Sequence, residues 1–202
     1  IALAAFALLF NWAAAGLMII ALFIHELGHL LAYRLMGQPW GRMIFLPFLG
    51  AMAIPRLPFD SQAQGVFAAL MGPGFSVLLA VVCASHVFFD GTLSAVLVIM
   101  GLITAALNIF NLLPVEPLDG GVALRSVLAR YMGRYARFGL MGIGVILIAI
   151  GLYMSQLILV IFGGIAILFN LKARVIDAGL VPLTRMQVVI TFFSYVCMVG
   201  AY

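Results

Sequence analysis

Charge is what this sequence has least of: of 202 residues only 8% are charged, against 66% hydrophobic, and the charged groups cluster between long apolar runs. So few charges cannot cover a water-soluble globule of this size, which excludes a soluble enzyme. Cysteine is almost missing. Cys83 and Cys197 both lie inside apolar runs, where a free thiol behaves as a small hydrophobe, so neither a disulfide framework nor a redox centre is expected. No repeat and no low-complexity tract is visible, and no polar stretch is long enough to build an aqueous domain. The chain opens at Ile1 without a basic stretch, so its start reads as that of a segment rather than a signal peptide. An excess of 10 Lys and Arg over 6 Asp and Glu would suggest nucleic acid in a soluble protein. Beside membrane spans it reports orientation, and no nucleic-acid partner is expected.

Apolar helix is what remains. At about 1.5 Å per helical residue the chain allows at most about ten crossings of a ~30 Å hydrocarbon core, and loops reduce that to about six. Residues 1–10 read as the end of one span. A helix over 12–36 follows and stops at Gly37 and Pro39. Residues 43–56 are apolar, but two prolines and Gly50 forbid a long helix and the segment is too short to span. Its backbone must be satisfied against protein, which predicts a re-entrant loop or a short β-hairpin turning near Gly50. Spans are expected over 63–89 and 92–113, joined at Asp90-Gly91. A proline- and arginine-rich segment, 114–137, precedes a hairpin of short spans over 138–170, broken at 153–156. A polar connector, 172–185, and a last apolar stretch, 186–202, complete the chain. The expected fold is an all-α polytopic membrane protein with about six transmembrane helices and a short hairpin or loop after the second. It forms one membrane domain over 1–202, with its core over about 12–137 and C-terminal helices over 138–202.

Orientation follows from the basic residues. Arg34, Arg42 and Arg56 form one group; Arg125, Arg130, Arg134 and Arg137 come two crossings later; Lys172, Arg174 and Arg185 come two crossings after that. All fall on one face, and the turns at Asp90-Gly91 and Tyr153 carry none. The positive-inside rule puts that face in the cytoplasm, with a bacterial cytoplasmic membrane as the expected location and lipid headgroups beside the arginines.

Chemistry begins at His25-Glu26-Leu27-Gly28-His29. Two His at i and i+4 stand on one helix face and can reach one Zn²⁺, while Glu26 can face a water on that ion. The chain holds only 3 His, and ionisable groups inside an apolar helix cost several kcal/mol unless paired or metal-bound. A catalytic zinc usually takes three protein ligands. Among the other acids, Asp90 lies at the opposite face and Asp60 and Asp177 sit in polar connectors, which leaves Glu116 and Asp119. Asp119-Gly120-Gly121 alone would read as a turn. Following a span on the side of the His pair, it becomes the better ligand candidate.

These residues resemble the site-2 protease family, the intramembrane zinc metalloproteases, in three places: 23–29 around the His-Glu-His motif, Leu46-Pro47-Phe48-Leu49-Gly50, and 108–121, Asn-Ile-Phe-Asn-Leu-Leu-Pro-Val-Glu-Pro-Leu-Asp-Gly-Gly. Met71-Gly72-Pro73-Gly74-Phe75-Ser76 is similar to the family's Gly-Pro segment. The resemblance implies one Zn²⁺ held by His25, His29 and Asp119, Glu26 as general acid/base, and Asn111 facing substrate or the catalytic water. It also implies hydrolysis of a peptide bond within the membrane, on a membrane-anchored protein or peptide. Glu116 departs from the pattern, standing where an apolar or aromatic residue is expected. The Asp90-Gly91 turn leaves no room for the PDZ domain some relatives insert, as in the compact branch.

His29 lies seven residues before Met36, which puts the metal on the order of 10 Å below the cytoplasmic surface. A substrate helix hides its peptide bonds, so an exposed strand edge is expected to hold it open by β-augmentation, through Phe45, Leu46, Phe48, Gly50, Ala51 and Ile54. The bland alternative for that segment is an inert interfacial loop. The rival function is a metal transporter using the His pair as transit ligands, with no need of Glu26. Of the remaining polar groups, His86 reads as interfacial and Asn108 as an interhelical hydrogen bond.

Overall fold

A computed structural model of the chain describes residues 11–46, 50–172 and 179–202; the expected span end over 1–10, together with Phe48, lies outside them. Four helical stretches among the described residues are long and apolar enough to cross a membrane: Trp12–Leu35, Gln62–Phe88, Thr92–Asn111 and Asp119–Tyr153. Two shorter apolar helices, Leu157–Leu171 and Arg185–Ala201, follow. The chain is thus an integral membrane protein of the expected all-helical class with one small hairpin. Its residues gather into two compact units, 1–58 with 71–110 and 197–202, and 59–70 with 111–196.

In the first unit, α1 (Trp12–Leu35) is framed by two local signals. The Asn11 side chain accepts from the Ala14 amide at 2.8 Å and caps the start. At the other end Gly37, at φ +80, donates to the Arg34 carbonyl, and Gln38 donates to that of Tyr33. That is the Schellman closure, which needs a residue able to take the left-handed conformation. The C-terminal part of α2 (Gln62–Ser85) and α3 (Thr92–Asn111) up to residue 110 pack with α1 through Ala21, Cys83 and Met100, all buried. A 3-10 turn, His86–Phe88, and Gly91 at φ +116 join these two helices where Asp90-Gly91 predicted the turn.

Residues 42–46 and 50–54 form the two strands of a hairpin. β1 (Arg42–Leu46) runs antiparallel to β2 (Gly50–Ile54), pairing Leu46 with Gly50, Phe45 with Ala51 and Ile44 with Met52. Side chains alternate across the pair. Phe45 and Ala51 pack against the Ala15–Leu22 cluster of α1, while Ile44 and Met52 are exposed on the other face. The Tyr33 hydroxyl donates to the Ala53 carbonyl at 3.1 Å and pins β2 to α1.

In the second unit, α4 (Asp119–Met132), α5 (Ala136–Tyr153) and α6 (Leu157–Lys172) succeed one another, and α7 (Arg185–Ala201) contributes up to residue 196. The expected break at 153–156 is present, with Ser155 at φ 55. Gly144 and Gly163 let α5 and α6 approach to backbone contact: a Cβ at Gly163 would lie 2.5 Å from the Gly144 carbonyl oxygen. Small residues at such crossings are how membrane helices gain packing contacts. The described part of the 172–185 connector is tied down, since Gln62 donates to the Val181 carbonyl and Val181 donates to that of Asp60.

The sequence reading places no helix in the proline- and arginine-rich segment 114–137, and residues 119–132 form one. Both prolines precede it, at 114 and 117, and cannot break what they do not interrupt.

Candidate metal centre

Within the first unit, α1 presents His25, Glu26 and His29 as buried groups, with His25 and His29 one turn apart. Their Nε2 atoms lie 3.1 Å apart, with the rings edge-to-face at 80°. Two ligand atoms each about 2.05 Å from a tetrahedral ion would be separated by roughly 3.3 Å, so the spacing is that of a shared metal.

The tautomer of His25 follows from its neighbour on α3. Asn108 Nδ2 donates to the Thr104 carbonyl at 2.7 Å, which turns its Oδ1 toward His25. Oδ1 can only accept, so His25 Nδ1, 2.8 Å away, carries the proton and Nε2 is left with its lone pair. This is the outer support that metal-bound histidines commonly have. Asn108 is fully buried, and its sequence reading as an interhelical hydrogen bond holds, with the motif histidine as its partner. Nothing in the sequence singled out that partner.

Two glycines shape the same place. A Cβ at Gly72 would sit 2.4 Å from His29 Nε2 and 3.0 Å from His25 Cε1, so any side chain there would fill the space the two nitrogens face. A Cβ at Gly28 would meet the Met71 carbonyl oxygen at 2.3 Å, so the motif glycine lets α1 rest on the α2 backbone. The Gly72 neighbourhood is held further by Ser76 Oγ donating to the Gly72 carbonyl at 3.1 Å and by the Tyr202 hydroxyl donating to that of Pro73 at 2.6 Å. A nitrogen whose lone pair is set by its tautomer, a second nitrogen beside it and a cradle a methyl would fill suit a zinc ion.

In the second unit, Asp119 is the first residue of α4, where the partial positive charge of a helix N-terminus favours a carboxylate. The two glycines after it are helical rather than a turn, and their lack of Cβ has a packing cause. A Cβ at Gly120 would lie 2.1 Å from the Leu112 carbonyl oxygen, and one at Gly121 would lie 2.4 Å from the Glu116 nitrogen. Glu116, buried to 2% exposure, pairs with Arg125 of α4 at 2.9 Å. Asn111 is the last residue of α3 and is half-buried; the neighbouring Leu112 carbonyl accepts from the Tyr195 hydroxyl of α7.

Of the strand residues, Phe45 and Ala51 face α1, Gly50 opens β2 at φ +108, and Leu46 and Ile54 hold paired positions in the ladder. Ile44 and Met52, which no sequence signal marked, form the outward cross-strand pair. His86 is half-buried in its 3-10 turn with its ring 5.6 Å from that of Phe89.

Several known proteins are similar to this chain. The model of Peptidase family M50 matches residues 86–155. A zinc metalloprotease from Methanocaldococcus jannaschii is 26% identical over 157 residues, covering 68% of this chain and 45% of the relative. A Synechocystis protein named as a candidate zinc metalloprotease is 31% identical over 137 residues, covering 63% of this chain and 36% of the relative. The chain therefore spans less than half the length of these relatives. Among solved structures, the site-2 protease from Methanocaldococcus jannaschii shares the fold with a TM-score of 0.55 at 20% identity, over 84% of this chain and 83% of that one. A metal-transporter reading finds no support in these matches.

Proposed function

We propose that the chain is a member of the site-2 protease family within Peptidase family M50, an intramembrane zinc metalloprotease cleaving a peptide bond in or near a transmembrane segment of a membrane-anchored substrate. The observation that carries this reading is the His25–His29 nitrogen pair, 3.1 Å apart, with the His25 tautomer set by Asn108.

His25, His29 and Asp119 are the assigned ligands of one zinc per chain. Bound there, zinc would polarise the scissile carbonyl and make water nucleophilic near neutral pH. Glu26, buried beside the pair, takes the proton of the attacking water and delivers it to the leaving amine as the C–N bond breaks. Asn111, at the end of α3, is assigned to substrate or to that water.

A transmembrane substrate must be locally unwound to expose a carbonyl. The hairpin supports that role: its inner face is occupied by α1, which leaves strand edges and the exposed Ile44–Met52 pair for an extended segment. The grouping of the basic residues supports a site that opens toward the cytoplasm, with a bacterial inner membrane as the proposed location.

The test is zinc analysis together with cleavage of single-span reporters in detergent. We expect one zinc per chain and cleavage by the parent, zinc without cleavage in Glu26→Gln, and lost zinc in Asp119→Asn. Cleavage by Glu26→Gln at the parental rate would overturn the assignment.

A further inference from the structure

Glu116 is where the chain departs from the pattern of the family it resembles, and its surroundings suggest what it does there. The loop from Leu112 to Leu118 folds back over the start of α4. Leu118 donates to the Val115 carbonyl at 2.9 Å, and Val122 of α4 donates to that of Leu118 at 3.0 Å. The backbone at 115–116 lies directly on Gly121, so close that a Cβ there would be 2.3 Å from the Val115 carbonyl carbon. Arg125 stands one and a half turns along α4, and helical side chains lean toward the N-terminus. Its Nη1 reaches back to Glu116 Oε1 at 2.9 Å. The ion pair therefore bridges the helix and the loop that precedes it, with Asp119 on the chain between the two partners.

We propose that Glu116 is a positioning residue rather than a zinc ligand: paired with Arg125, it clamps the 112–118 loop onto α4 and so holds Asp119 at the head of that helix. The inference rests on the assignment of Asp119 as a ligand. Two carboxylates three residues apart would otherwise compete for one cation. Arg125 occupies Glu116 with a charge of its own and leaves Asp119 to the metal. A buried carboxylate deprived of its partner is strongly unfavourable, whereas a pair replaced by neutral groups is tolerated. A clamp needs both partners, so removing either should affect zinc alike, whereas a ligand is needed whether or not Arg125 is present.

The experiment measures zinc affinity by chelator competition on the full chain in detergent, for the parent, Glu116→Gln, Arg125→Met and the double variant, alongside thermal unfolding of each without metal. We expect Glu116→Gln and Arg125→Met each to weaken zinc binding at least about threefold and to a similar degree, and the double variant to be no weaker than either single, because the two side chains act as one pair. Arg125→Met should also lower the metal-free Tm by breaking the ion pair of a buried carboxylate, and the double variant should regain part of that Tm. Parental zinc affinity in both single variants would overturn the proposal. So would loss of zinc in Glu116→Gln with parental affinity in Arg125→Met, which would make Glu116 a ligand, or a double variant whose losses simply add. A parent chain that binds no zinc would defeat the protease reading instead, while the Tm series would still decide whether the clamp exists.

Discussion

His25 Nδ1 lies 2.8 Å from Asn108 Oδ1, and the same asparagine spends its amide hydrogen on the Thr104 carbonyl, so α3 determines which nitrogen of a histidine on α1 is free to bind metal. Replacing Asn108 with Leu should therefore release the ring and allow the other tautomer. Zinc affinity is expected to fall about 10- to 100-fold, the usual effect of losing such a support. Asn108→Asp, which keeps an acceptor toward Nδ1, should lose less. Chelator competition on the purified variants reads both.

Gly72 supplies a second, steric expectation. With a Cβ 2.4 Å from His29 Nε2, Gly72→Ala must push the imidazoles or the helix aside. Zinc content should drop well below one per chain, whereas Gly74→Ala, whose nearest neighbour is the flexible end of Met198, should retain it. Equal zinc content in the two variants would contradict the cradle.

The hairpin makes a prediction that separates binding from chemistry. Proline in place of Gly50 or one of its neighbours in β2 removes a backbone donor from the strand pair. Cleavage of a transmembrane reporter should fall at least about tenfold in kcat/KM with zinc content unchanged. Undiminished cleavage would return the segment to an interfacial loop without a substrate role.

In the second unit, the α5–α6 crossing depends on Gly144 and Gly163. Gly163→Leu forces a side chain into the opposing backbone. Overpacking of this kind costs about 1–3 kcal/mol, which should appear as a lower thermal unfolding midpoint with the Gly144-bearing helix still formed by circular dichroism.

How much of this was legible beforehand depended on the kind of signal. Hydropathy runs and helix punctuation located α1, α2, α3 and the 153–156 break nearly to the residue, because length in a bilayer and glycine at a C-terminus act locally. Periodicity placed His25 and His29 on one face, and the prolines with Gly50 made 43–56 non-helical. Helix α4 was hidden because its prolines lie just ahead of it, where they start a helix as readily as they end one. The partner of Asn108, the closeness of Gly72 to the imidazoles and the Arg125–Glu116 pair were not legible, since each joins residues on different elements and leaves no periodic trace in the chain.

The central claim, a zinc ion held by two imidazoles and a distant carboxylate within apolar helices, is tested most directly by X-ray absorption at the zinc edge on the purified parent and Asp119→Asn. The account predicts two imidazole nitrogens at about 2.0–2.1 Å with oxygen ligands at about 2.0–2.2 Å in the parent, and altered coordination with weakened retention in the variant. A parent spectrum without imidazole scattering, or one that Asp119→Asn leaves unchanged, would contradict it.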